Sequence, residues 1–399
     1  MYKLEIKLKQ HTPLIHFQHD QAGATLRATE VKPKLDKFII EKLLKEKGIE
    51  YNYFGENKKF ITERDAFSDE AKQNKEWKSW LIGRGESEHV ALDYKMRIIA
   101  EGEPEYYLIT SYLSGRDSSN PVLGSFKVIK NAPYFAQEKE IKDYLAGTRK
   151  DFSKLGVINK KNIIQIHTTH GGLSELIGKY FKPFLAVENF GCRQNKGFGS
   201  YYIDDNDDFE SVLRKEKSNS CKFSFKKKED DFQNVFKNIN IEYKILKSGY
   251  NDTESKLKEC FEEKGILWEK LAIYNHINEY ESNGDLKFQY IRAFLGLAEL
   301  FEFTKHEPNF KVLVQHYNED KNSTIARFKS PITYKVYKGS IYLYFDEIPC
   351  EIMGQKFKFT FESDSEFNFE PLIIETPKVH DNFMNELIKR VCENKWKKL

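Results

Sequence analysis

Glu188-Asn189-Phe190-Gly191-Cys192-Arg193-Gln194-Asn195-Lys196-Gly197-Phe198-Gly199-Ser200 is the stretch on which the reading of this chain turns. Three glycines bracket Arg193 and Lys196. Glycine takes positive φ without strain and lets another backbone come close. Arg and Lys supply charge for phosphates, and Phe190 and Phe198 supply faces on which bases can stack. The apolar run Tyr201-Tyr202-Ile203 follows at once, so the loop should open onto a strand. Loop, basic pair, aromatics and strand fit a site that holds a nucleic-acid backbone. The same residues also fit a basic surface turn.

Outward from this loop, composition sets bounds. The chain has 399 residues, with 22 Tyr, 31 Phe and 4 Trp, which argues for folded structure and for two domains or one with a large insertion. Net charge is only +3, from 64 Lys+Arg against 61 Asp+Glu. A nucleic-acid surface must therefore come from local segregation of charge. Basic segments run from Arg27 to Lys37, Lys150 to Lys161 and Lys222 to Lys228, and the acidic run Asp204 to Asp208 reads as a solvated linker start. The cysteines are Cys192, Cys221, Cys260, Cys350 and Cys392. Their odd number and spacing predict a reducing compartment and no zinc site. No apolar stretch has the length of a membrane span, and the N-terminus lacks a signal-peptide core, so the expected location is the cytoplasm.

Residues 2 to 9 alternate as a half-buried strand. Val31, Leu35, Phe38, Ile39, Leu43 and Leu44 have helical spacing, with Thr29 as N-cap and Gly48 as stop. Residues 49 to 90 read as an insertion. Strands are expected at Tyr94 to Ala100, Tyr106 to Tyr112, Val122 to Ile129 and Asn162 to His167, and a helix at Leu173 to Leu185 before the loop. This order of strand, helix, strands, helix and strand is the ferredoxin-like (βαββαβ) pattern, a layout shared by RNA-recognition domains. The predicted division is 1–205 and 206–399. The second part should be α+β as well. It should have a strand at Ile239 to Leu246 and helices over 254 to 303, with Leu286, Tyr290, Phe294 and Leu297 on one face. A hairpin around Lys338-Gly339, a strand at Phe357 to Phe361 and a helix at Val379 to Trp396 complete it.

The chain resembles the RAMP proteins of CRISPR systems. Gly191-Cys192-Arg193-Gln194-Asn195-Lys196-Gly197-Phe198-Gly199-Ser200 looks like their glycine-rich loop. Thr12-Pro13-Leu14 followed by Leu26-Arg27-Ala28-Thr29-Glu30-Val31-Lys32 resembles their opening motif. Phe294-Leu295-Gly296-Leu297 and Ile325-Ala326-Arg327-Phe328-Lys329-Ser330-Pro331-Ile332 resemble a pair common in type III subunits. Within the superfamily the resemblance is to the first subunits of Cmr (type III-B) effector complexes. It implies two ferredoxin-like domains with insertions and a non-catalytic subunit near the guide RNA's 3′ end. Its partners would be guide RNA, target RNA and other RAMP subunits, with no cofactor, metal or membrane. On that reading Arg193, Gln194, Asn195 and Lys196 contact RNA, Gly191, Gly197 and Gly199 permit close approach, and Phe198 stacks on a base or braces the loop. Arg27, Lys32 and Lys34 form a second contact at a helix N-terminus, and Arg327 and Lys329 extend the surface in the second domain. The family often has Gly and Arg where this chain has Pro33 and Asp36, and Asp36 would repel phosphate. Lys329 also alters the Ser-Pro motif.

The alternative is a metal-independent endoribonuclease that processes guide RNA. Its general base would come from His11, His16 and His19, which otherwise read as polar loop histidines. His167 and His170 flank Thr168 and Thr169, whose expected role is to cap the helix that follows.

Overall fold

In the segment Tyr2–Gln10, Lys3, Glu5 and Lys7 are exposed while Leu8 and Gln10 are buried, as the period of a strand with one covered face requires. This computed structural model describes residues 1–16, 25–54, 60–85, 90–111, 127–133, 138–149, 152, 155–203, 207–223, 225, 228–278, 287–303, 310–318, 325, 330–363, 369–380, 382–392 and 395–399. The chain forms two units. The first comprises Met1–Asn240, Tyr334–Leu343 and Leu399, and the second Ile241–Thr333 and Tyr344–Lys398. Both mix helices and strands, so the architecture is α+β.

The first unit is organised by β1 (Tyr2–Gln10), α1 (Ala28–Glu46), β2 (Lys95–Glu101), β3 (Lys161–Thr168), α2 (Gly171–Val187) and β4 (Tyr201–Ile203). The sheet order is β2-β3-β1-β4, and every neighbouring pair is antiparallel. Ile6 stands opposite Ile164, which stands opposite Ile98, on the face that the helices cover. Helix α1 forms because Val31, Leu35, Ile39 and Leu43 recur every four residues, and all four are buried. Leu173, Ile177, Tyr180, Phe181 and Phe184 give α2 the matching stripe. Phe38 joins the two helices, its ring 5.8 Å from that of Phe184.

Boundaries differ locally from expectation. Helix α1 begins one residue before Thr29, with the Arg27 carbonyl closing the first turn. Helix α2 starts after His170, whose N–H donates to the Thr168 hydroxyl. Residues 63–73 form a helix behind Thr62, whose hydroxyl and partner Asp65 make a reciprocal capping box. Ile239 to Leu246, expected as a strand, lies in a helix, Phe232–Lys247. Phe232, Val235, Phe236 and Ile239 are buried at helical spacing, and that longer periodicity wins over the short apolar run.

In the second unit, Leu300–Phe303, Phe310–His316, Lys356–Ser363 and Leu372–Glu375 form a four-stranded antiparallel sheet paired in chain order. That order differs from the crossed order of the first unit. Tyr290 and Phe294 are buried as expected, but at the N-cap of and within the 3-10 turn Ile291–Leu295 rather than on an α-helix, and Leu286 lies outside the described residues. The terminal helix is the shorter Phe383–Val391, followed by the strand Trp396–Lys398. Cys192, Cys260 and Cys350 carry free thiols, while Cys221 and Cys392 are disulfide-bonded, an outcome their number and spacing did not anticipate. No helix among the described residues is long and apolar enough to cross a membrane.

Candidate nucleic-acid interface

Between α2 and β4 the glycine loop closes on itself. The Phe190 N–H donates to the Gly199 carbonyl at 2.9 Å, and Asn189 bridges Ser200. Gly199 has φ +63°, and a Cβ there would lie 1.9 Å from the Phe190 carbonyl oxygen. Gly191 has φ +77°, and its Cβ would lie 2.5 Å from the Ile15 carbonyl oxygen. The backbone that these glycines admit is therefore the protein's own.

Three elements hold the loop. The first is the segment after β1. Cys192 N–H donates to Ile15 O at 2.7 Å and Gly199 N–H to Pro13 O at 2.9 Å. The Thr12 hydroxyl donates to Gly197 O at 2.7 Å and accepts from Ser200 N–H at 2.9 Å. The opening motif and the glycine motif are thus one structure. The second element is α1. Glu30 accepts from Gly191 N–H at 2.6 Å. Lys34 donates to Asn189 O at 2.7 Å and to the Gln194 side chain, and it lies 3.7 Å from the Glu188 carboxylate.

The third element is the hairpin of β5 (Ile332–Tyr337) and β6 (Ser340–Phe345), whose strands are buried throughout rather than on alternate residues. Tyr334 N–H donates to Asn195 O at 3.1 Å, and the Asn189 amide donates to Tyr334 O at 2.8 Å. The Ser200 hydroxyl donates to Val336 O at 2.6 Å. The ammonium of Lys335, with none of its surface exposed, donates to Glu188 O at 2.5 Å and Tyr201 O at 3.3 Å, one carbonyl on each arm of the loop. Burial pushes its pKa down to about 7, against the raising effect of Glu188 and with a further lowering by Lys34.

Arg193 sits at the tip. It is exposed, holds φ +55°, and its guanidinium has no partner among the described residues. The turn closes from Lys196 N–H to Arg193 O at 2.7 Å. The tip therefore brings together Arg193, Gln194, Asn195 and Lys196. Phe198 and Phe190 do not offer the stacking faces expected of them. Phe198 is fully buried and stacked on Phe236 at 4.0 Å, and Phe190 packs edge-on against Phe184 and Tyr201, each at 5.9 Å. Both rings brace the loop from inside, because the glycines fold it back over them.

Lys32 is held at 2.9 Å by Asp36 and at 2.8 Å by Leu92 O, with its ammonium 4.0 Å from the Tyr94 ring. The feared repulsion from Asp36 is thus matched inside the protein, and the charge of Lys32 is engaged by the same contact. Arg27 caps α1 without a side-chain cap bond. Arg327, Lys329 and His19 lie outside the described residues. His11 is buried against Tyr337, and its Nδ1 accepts from Lys338 N–H at 3.4 Å. Burial, then Lys335, Lys9 and Lys338, push its pKa down to about 3. His16 is half-buried, its Nε2 3.0 Å from Thr25 O, and burial lowers its pKa against the pull of Glu30. No cluster of three metal-ligating side chains occurs among the described residues.

Glu30, Asn189 and Lys335 were not singled out in the sequence. Lys335 left a signal, as a lone cation between Tyr334 and Val336 in an apolar run.

Comparison with known families matches the Cmr1 N-terminal domain over residues 1–250 and the Cmr1 C-terminal domain over residues 252–398. The chain belongs to the Cmr1 family. The resemblance read from Thr12–Leu14, Leu26–Lys32 and Gly191–Ser200 is borne out at that level, and membership in the Cmr1 family makes the chain a subunit of a type III-B Cmr complex in CRISPR defence. Among solved structures it is similar to Cmr1 from Pyrococcus furiosus in its apo form. That likeness has 11% identity, covers 98% of this chain and 96% of that chain, and has a TM-score of 0.38. No curated protein matches.

Proposed function

We propose that this chain is a non-catalytic RNA-binding subunit whose glycine loop contacts guide or target RNA near the guide's 3′ end. The observation that carries the reading is Arg193. It is an exposed, uncompensated guanidinium at the tip of a loop whose base is fixed by three separate elements. A preorganised cation needs little ordering on binding, so its charge goes into phosphate contact. Unit 1 supports the reading too, because two helices on an antiparallel sheet of order β2-β3-β1-β4 are what a ferredoxin-like RAMP domain requires. The non-catalytic part rests on the histidines. His11 is buried and holds its proton poorly, and His16 is tied to a backbone carbonyl, so neither is poised as a general base.

The test is binding of the full chain to single-stranded RNA across a salt series, with the RNA checked for cleavage. Arg193→Ala should flatten the dependence of log K on log salt by about 0.7 and leave the RNA intact in both proteins. An unchanged slope removes the loop from the RNA site. Cleavage that disappears in His16→Ala would replace this reading with the nuclease.

A further inference from the structure

The strand register shows a second charged surface, on the side of the first unit's sheet away from α1 and α2. In one row across the sheet Lys3 stands opposite His167, which stands opposite Lys95. The next row is Glu5, Gln165 and Arg97, and the third is Lys7, Ile163 and Ile99. Lys3, Lys7, Lys95 and Arg97 are all exposed. Glu5 is occupied within the sheet, accepting from the Gln165 amide at 3.1 Å with Lys3 at 3.4 Å. Lys7, Lys95 and Arg97 make no salt bridge among the described residues, and Lys7 acts on the Glu5 carboxylate only through space.

On a solvated antiparallel face, charges opposite one another are stabilising when unlike and destabilising when alike. A face with spare cations on two strands forgoes that stabilisation. We propose that this open sheet face is a second binding surface for the phosphate backbone of single-stranded RNA. The inference rests on the RNA-binding reading of the chain and extends it from the loop to the sheet.

The chemistry of the face favours a nucleic-acid backbone over an acidic protein segment. Protein docking sites have an apolar centre. Here the apolar side chains are Ile99 and Ile163, both half-buried, in a single row. Phosphate contact needs only cations and hydrogen-bond donors. Lys95 and Arg97 are about 7 Å apart along β2, and Lys3 and Lys95 about 10 Å apart across two strand spacings. No Phe, Tyr or Trp stands on these rows and the His167 ring is half-buried, so recognition is of charge and not of base sequence.

The experiment uses the full chain carrying Lys7→Gln, Lys95→Gln and Arg97→Gln together, with single-stranded oligouridine as probe. All three side chains are exposed, so the thermal melt should match wild type. The salt slope should fall by up to about 2, and Lys7→Arg with Lys95→Arg should keep the wild-type slope. A triple variant that binds with the wild-type slope overturns the inference while leaving the loop reading intact. Failure of the wild-type chain to bind oligouridine at low salt would sink the RNA-binding reading and this inference with it. Loss of binding to a polyglutamate peptide with oligouridine binding unchanged would give the face to an acidic protein instead.

Discussion

The base and the tip of the glycine loop are built from similar residues and do opposite things. At the base, Gly199, Phe198 and Lys335 are buried, and their groups are turned inward on carbonyls, rings and neighbouring backbone. At the tip, Arg193 is exposed with no partner among the described residues. A cation buried at the base costs stability, and one left at the tip costs little beyond its φ. Glycine, aromatic and basic residues gathered at one loop therefore do not all face outward. Most of them make the rigid seat from which one or two do.

Substitution at the base should have the largest effect. Gly199→Ala forces a Cβ into the Phe190 carbonyl at positive φ and should cost about 3 kcal/mol or more, read by chemical denaturation. A loss under about 1 kcal/mol would mean that the two arms separate easily and that the base is not the fixed part.

Lys335 comes next. Its folded pKa is lowered to about 7 from 10.5, so the unfolded chain binds the proton more tightly. This group then contributes least to stability below pH 7, and its contribution grows as pH rises from about 7 towards 10.5. Between pH 7 and 9 the wild type should gain on Lys335→Met by up to about 1.4 kcal/mol per pH unit. Parallel stability curves for the two proteins would show that Lys335 stays charged and well solvated, contrary to its place at the base.

Arg193 should matter least for stability. Arg193→Ala should change unfolding free energy by no more than about 0.5 kcal/mol. Arg193→Gly should stabilise slightly, by up to about 1 kcal/mol, because φ +55° is strained for an Arg side chain and free of strain for glycine. Both should lose RNA affinity, which separates the tip from the base.

Much of the first unit was legible because its signals are local. Alternation in Tyr2–Gln10, four-residue spacing in Val31 to Leu43 and the glycine cluster each report their element without knowledge of the rest. The loop's supports were less legible because they come from far along the chain. Asn189 reaches Tyr334, and Lys335 reaches Glu188 and Tyr201, so β5 looked like an ordinary hairpin strand. Phe190 and Phe198 fit stacking faces as a sequence, with bracing the other expectation for Phe198, because sequence gives a ring's identity and not the side on which the chain folds over it. Ile239 to Leu246 fits a strand as a sequence because its eight residues, five of them apolar, suit both periods, and only the stripe from Phe232 decides for helix. Lys3 and Lys7 showed as the polar half of an alternating strand. Their meeting with Lys95 and Arg97 depends on the register of β3 between them.

A fixed base and an RNA-contacting tip are separated most directly by hydrogen exchange of the full chain, free and bound to single-stranded RNA, followed through peptides spanning residues 188 to 201. Phe190, Cys192 and Gly199 amides, already bonded to protein carbonyls, should be protected without RNA, and RNA should slow exchange only around Arg193 to Asn195. Rapid exchange at Phe190 and Gly199 in the free chain, or no change at the tip when RNA is bound, would contradict that separation.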